Sequence, residues 1–223
     1  MLQTSLYKVY TDISPLLQAL HSDYGMGNLG SVVNALRYLE QDVRLIERRE
    51  EADRCDALIL PGVGAFGDCM EHLEAHGFVE LIREWVAAGR PLMGICLGLQ
   101  ALFAASEESP GVAGLSLFEG TVKRFDLPAD LKVPQIGWNR VEAVQPDCPM
   151  FTGIEPNAHF YLVHSFYVDT PDSGLIAGKT NYGIDYCSCI WRDNVFATQF
   201  HPEKSQAVGL QMLKNFADWS AGV

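Results

Sequence analysis

Between residues 31 and 105 the apolar positions switch repeatedly between a helical and an extended period. Residues 31–39 (SVVNALRYL) space them as one face of a helix, residues 43–47 read as a strand, and residues 56–60 form an apolar strand entering Pro61-Gly62-Val63-Gly64. A helix is predicted over residues 68–88, with a break at Gly77, then a strand over 91–95 and a helix over 97–105. Strand and helix in alternation predict an α/β fold with a mainly parallel central sheet, flanked by helices on both faces. From about Leu115 the period changes to two. Residues 121–125, 139–144, 159–168 and 194–200, bounded by Gly, Pro, Asn and Asp, predict antiparallel strands added to that sheet. Residues 207–220 carry Val208, Leu210, Met212, Leu213, Phe216 and Trp219 at helical spacing and predict a closing helix packed on the body. No repeat, low-complexity tract or linker interrupts this plan.

Composition narrows the classes of function. The chain has 223 residues, 48% hydrophobic and 20% charged, enough for one full core. Sixteen Lys and Arg stand against twenty-eight Asp and Glu, a net charge of -12 that repels phosphate backbones and anionic lipid, so nucleic acid is not an expected partner. No apolar run approaches the roughly 20 residues that span a bilayer, and the N-terminus lacks the charged and apolar regions of a secretion signal. A soluble, cytosolic protein is expected. The six cysteines are too sparse for a disulfide scaffold. Cys187 and Cys189, two apart in a predicted strand, are expected on one face, but no second pair follows at ligand spacing, so no metal and no cofactor are expected.

Candidate chemistry begins at Gly94-Ile95-Cys96-Leu97-Gly98, a cysteine at a strand-to-helix turn with a glycine two residues away on each side. A tight turn of this kind strains its central residue and crowds backbone around it, which glycine flanks tolerate. The following helix N-terminus favours a thiolate. Far along the chain, residues 194–200 run as a strand into His201-Pro202-Glu203, where extended backbone would let the Glu203 carboxylate orient the His201 ring. His201 then serves Cys96 as base and later as acid. Acyl transfer also needs oxyanion donors, and the amides of Val63, in the loop after an apolar strand, and Leu97, after the cysteine, are the candidates.

A rival motif lies upstream. Gly25-Met26-Gly27-Asn28-Leu29-Gly30 fits G-x-G-x-x-G, with Glu47 ending the next strand where a ribose-binding acid would stand. The residues before Gly25 are largely polar rather than an apolar strand, and the motif uses none of Cys96, His201 or Glu203. A nucleotide-binding module and a stand-alone cysteine hydrolase are the competing classes. The first would survive Cys96→Ala, and the second would need no partner.

These residues resemble the class I glutamine amidotransferases, and within them the family of glutaminase subunits of imidazole glycerol phosphate synthases in histidine biosynthesis. Five blocks in order carry the resemblance: residues 23–29 (DYGMGNL), 60–67 (LPGVGAFG), 94–100 (GICLGLQ), 133–139 (VPQIGWN) and 199–205 (QFHPEKS). It implies a flavodoxin-like fold and a Cys96-His201-Glu203 triad that hydrolyses glutamine to glutamate. It also implies a heterodimer with a (β/α)8 barrel cyclase that receives the ammonia. Gly62, Gly64, Gln100, His164 and Ser165 match the glutamine pocket, and Trp138, Tyr161 and Lys204 match the cyclase-facing surface. One departure stands out: residues 1–22 precede the Asp23-Tyr24-Gly25 block, read as an N-terminal extension ahead of a domain over 23–223. Either residues 16–20 supply a modified first strand or the N-terminus has a non-native origin.

Overall fold

The computed structural model describes residues 6–10, 29–62 and 64–222. The elements run β1 (Leu6–Tyr10), α1 (Leu29–Tyr38), β2 (Asp42–Ile46), β3 (Ala57–Gly62), α2 (Phe66–Ala75), α3 (Phe78–Ala87), β4 (Leu92–Cys96) and α4 (Leu97–Gln100). There follow β5 (Thr121–Arg124), β6 (Gln135–Arg140), β7 (Glu142–Ala143), β8 (His159–His164), β9 (Phe166–Asp169), β10 (Ile176–Asn181), β11 (Asp185–Arg192), β12 (Val195–Thr198) and α5 (Gln206–Ser220). Among the described residues, one mixed sheet has the order β2-β1-β3-β4-β12-β11-β10-β7, with β9 joined to β11 and β5 to β9; β6 and β8 form a separate ribbon. β1 pairs antiparallel with both β2 and β3, and it falls within the residues read as an extension. Residues 16–20 and the motif at 25–28 lie outside the described residues.

Alternation along β3 splits the core. Leu58 and Leu60 point to the face covered by α2 and α3 through Phe66, Leu73, Phe78 and Trp85, while Ala57 and Ile59 point to the face covered by α1 and α5 through Leu36, Met212 and Phe216. Each such fully buried aliphatic chain stabilises the fold by about 1.5–3 kcal/mol. The predicted break at Gly77 is present: that residue adopts φ 67°, separating α2 from α3. Among the described residues no helix is long and apolar enough to cross a membrane.

Several expectations change. The helix predicted over 97–105 keeps its α-helical form only from Leu97 to Gln100, because the carbonyls of Ala101, Leu102, Phe103 and Ala104 accept instead from the amides of Leu115, Leu117, Ser116 and Gly114. The strand after Arg192 was expected to be antiparallel, yet β12 lies parallel to β4, with Val195 opposite Leu92 and Thr198 opposite Ile95. Parallel pairing covers β3, β4 and β12; the remaining ladders are antiparallel. The strand expected over 139–144 starts at Gln135 and pairs with β8 as far as Arg140, after which β7 joins β10. The stretch 159–168 changes sheets at Ser165, so that β8 belongs to the ribbon and β9 to the main sheet. Cys187 and Cys189 do not share a face. Cys189 stands opposite Gly178 and Cys187 opposite Lys179, so a bulge at Ser188 sends the two sulfurs into opposite halves of the core.

Candidate active site

Strands β3, β4 and β12 end at one edge of the sheet, where α/β sheets usually bind ligands. Gly62 stands opposite Cys96 in the β3–β4 ladder. Cys96 itself has φ 56° and ψ -108°, a conformation that costs a non-glycine residue about 1–3 kcal/mol and persists only where its surroundings enforce it. Those surroundings are backbone. A Cβ on Gly98 would stand 1.8 Å from the Leu60 carbonyl oxygen, and one on Gly94 would stand 2.8 Å from the Gly98 carbonyl oxygen. The glycine spacing therefore serves the elbow. Because α4 is a single turn, little helix dipole reaches the sulfur, and the Leu97 amide stands at its first position.

From β12 the chain passes Gln199 and Phe200 into a 3-10 turn at Pro202–Lys204, not the extended backbone expected there. The reach across two residues holds nonetheless. His201 Nδ1 donates to Glu203 Oε1 at 2.9 Å, with both side chains buried. The turn is fixed to β8 by the His201 amide donating to the Tyr161 carbonyl at 2.9 Å, and by the Ser205 hydroxyl, which accepts from the Tyr161 amide and donates to the His201 carbonyl. Burial disfavours an imidazolium, but the Cys96 sulfur and the Glu203 carboxylate outweigh it and push His201 up to about 10.

One cavity of about 330 Å³ is lined by Cys96, Leu97 and His201 together with Gly62, Gly64, Gln100, His164, Ser165 and Lys204. The predicted pocket residues are thus gathered on one wall system, whereas Val63 lies outside the described residues. His164 faces inward by the alternation of β8. Its Nδ1 donates to the Phe166 carbonyl at 2.7 Å and its Nε2 lies 3.2 Å from the Tyr186 hydroxyl. Burial pushes it down to about 4, so the ring is neutral at physiological pH. Gln100 Nε2 is committed inside the protein, to the Phe166 carbonyl at 3.1 Å and to Gln199 Oε1 at 3.0 Å.

Glu108 was missed. It lines the cavity and accepts from the Phe66 amide at 2.8 Å, capping α2 beside Ser109, which accepts from Gly67. In sequence it belongs to Glu107-Glu108-Ser109-Pro110, which reads as an ordinary solvated turn. Trp138 and Tyr161 lie outside the cavity, opposite one another in the ribbon with rings 6.1 Å apart. Trp138 is 46% exposed and its neighbour on the same face, Ile136, 63%. Among the described residues no cluster of three or more His, Cys, Asp or Glu is arranged to hold a metal ion.

Several known proteins are similar to this chain. The chain is 48% identical over 203 residues to the imidazole glycerol phosphate synthase subunit HisH of Syntrophotalea carbinolica, covering 88% of this chain and 97% of that protein. It is 46% identical over 198 residues to the subunit of the same name from Acinetobacter baylyi, covering 89% and 96%. A crystal structure of a glutamine amidotransferase superposes with TM-score 0.68 at 21% identity over 88% of this chain and 95% of that one, which speaks for the fold. The profile described as glutamine amidotransferase class-I matches residues 20–219, and the chain belongs to that family.

Proposed function

We propose that this chain is the glutamine-hydrolysing subunit of an imidazole glycerol phosphate synthase, working through Cys96, His201 and Glu203 and passing ammonia to a (β/α)8 barrel cyclase. The observation that carries the chemistry is the cavity in which a strained, partly exposed cysteine meets a buried histidine bonded to a buried carboxylate. The relatives named HisH favour this synthase over other users of glutamine-derived ammonia.

The Cys96 sulfur and the Glu203 carboxylate favour the charged ring, so His201 takes the thiol proton as base and carries it as an imidazolium before acting as acid. Sulfur bonds to the side-chain amide carbon of glutamine, the carbonyl oxygen gains the negative charge, and the Leu97 amide donates to it. Collapse breaks the C–N bond, and the imidazolium supplies the proton with which ammonia leaves. Water then attacks the glutamyl thioester, His201 takes its proton, and glutamate departs as the sulfur recovers its electron pair. Glu203 keeps the ring oriented throughout. The Glu108 carboxylate offers a counter-charge for the α-ammonium of glutamine. Trp138, Ile136 and Tyr161 form the apolar face of the ribbon that would meet the cyclase, with Lys204 at the cavity mouth.

A glutamate-release assay with and without the cyclase and its nucleotide ligand tests both halves. Cys96→Ala should lose at least about a thousandfold in rate with an unchanged fold. Undiminished turnover in that variant would reject the nucleophile, and a rate indifferent to the cyclase would reject the synthase assignment in favour of a stand-alone hydrolase.

A further inference from the structure

Gln199 has no role in the triad, yet its fully buried side chain ends on the reacting atom. A carbonyl oxygen only accepts, so the Gln100 atom 3.1 Å from the Phe166 carbonyl is the donor Nε2. The same Nε2 lies 3.0 Å from the Gln199 side chain, which must therefore present its oxygen there. That leaves the Gln199 Nε2 turned onto the Cys96 sulfur at 3.7 Å, within the longer reach of a bond to sulfur. The orientation of one amide thus fixes the other, and the chain of inference starts from a backbone group that has no second option.

We propose that Gln199 is a catalytic residue of the reaction described above: its Nε2–H donates to the Cys96 sulfur, favours the thiolate and aims it, while Gln100 locks the amide in that sense. The inference rests on Cys96 being the nucleophile. The donor acts twice. It stabilises the charge on sulfur before attack, and it stabilises the same charge again when water has bonded to the thioester carbon and the C–S electron pair returns to sulfur. Among the described residues, the ionisable groups around the cavity besides Cys96 are His201, Glu203 and Lys204 on the turn after β12, His164 at the end of β8 and Glu108 after α4. Gln199 does not titrate, so its removal displaces the sulfur's titration curve without adding a step.

The test is the pH dependence of Cys96 alkylation by iodoacetamide in the full chain, followed by intact mass. The other five cysteines are buried, and burial pushes Cys148 and Cys187 up to about 12; Cys96→Ala supplies the blank. Gln199→Leu should raise the alkylation midpoint by about one pH unit and lower kcat for glutamine by about tenfold, with KM within about twofold. Gln199→Glu keeps the shape and the bond to Gln100 but puts an acceptor where the donor was, and should raise the midpoint further. Gln100→Leu, which frees the Gln199 amide to turn, should raise it less. Unmoved midpoints in folded variants overturn the role of Gln199 while leaving the nucleophile standing; glutaminase that persists in Cys96→Ala overturns the nucleophile itself.

Discussion

The parallel core of β3, β4 and β12 and the β6–β8 ribbon meet at the same cavity but are built to opposite rules. At the elbow there is no spare volume, since even one added carbon on Gly98 would overlap the Leu60 carbonyl. In the ribbon the outward face is open: Ile136 and Trp138, two residues apart on it, project into solvent. Covalent chemistry needs groups held to fractions of an ångström, which close packing of parallel strand ends supplies. Recognition needs apolar surface that is still uncovered, which a two-stranded ribbon outside the main sheet can offer. The two regions are joined where the His201 amide bonds to the Tyr161 carbonyl, so the turn that carries the histidine is tied to a strand of the ribbon.

Breaking the tight region should have the largest effect. Gly98→Ala is expected to abolish glutamate release and lower Tm by more than about 10 °C, because backbone on β3 must give way. A melting curve and a rate measurement check it, and a variant with normal stability would show that the elbow can relax. Glu203→Gln should lower kcat by about a hundredfold. It should also bring the upper limb of the pH profile to lower pH, because the carboxylate helps hold the His201 proton.

The third prediction concerns His164, at the seam between the two regions. Its pKa is about 4 in the fold against an ordinary 6.5, so the fold prefers the neutral ring. The corresponding stability is present above pH 6.5 and is lost as pH falls toward 4, by about 3 kcal/mol over that span. Denaturant titrations at pH 7 and pH 4 should show this loss in the native chain and little of it in His164→Asn. His201 works in the opposite sense: the stability its protonation contributes is complete below pH 6.5 and lost as pH rises toward 10. The smallest effect on the chain itself is expected from Trp138→Ala. Stability and basal glutaminase should hardly change, within about 0.5 kcal/mol for the former, while binding to the cyclase weakens by at least about tenfold. Unaltered binding would move the docking face elsewhere.

Much of the site was legible because its signals are local. The glycines on either side of Cys96 mark an elbow, the apolar run before them marks a buried strand, and His201 with Glu203 mark a ring beside its carboxylate. Other features depend on partners distant in the chain. Residues 97–105 have helical periodicity, yet hydrogen bonds from residues 114–117 divert their carbonyls and end the helix at Gln100. Cys187 and Cys189 have the spacing of one strand face, but the bulge against β10 separates them. Glu108 looks like a solvated charge until the fold sets it against the first turn of α2.

By itself, then, the order of residues determined which side chains have reactive chemistry and which segments alternate or wind, because backbone geometry imposes periods of two and 3.6 on whatever is buried. Which way β12 runs, what lines the cavity and which end of the Gln199 amide faces sulfur were decided only by the tertiary structure. Those outcomes follow from hydrogen-bond and packing partners that lie tens of residues away, and no local pattern encodes the direction of a bond to a neighbour that only folding supplies.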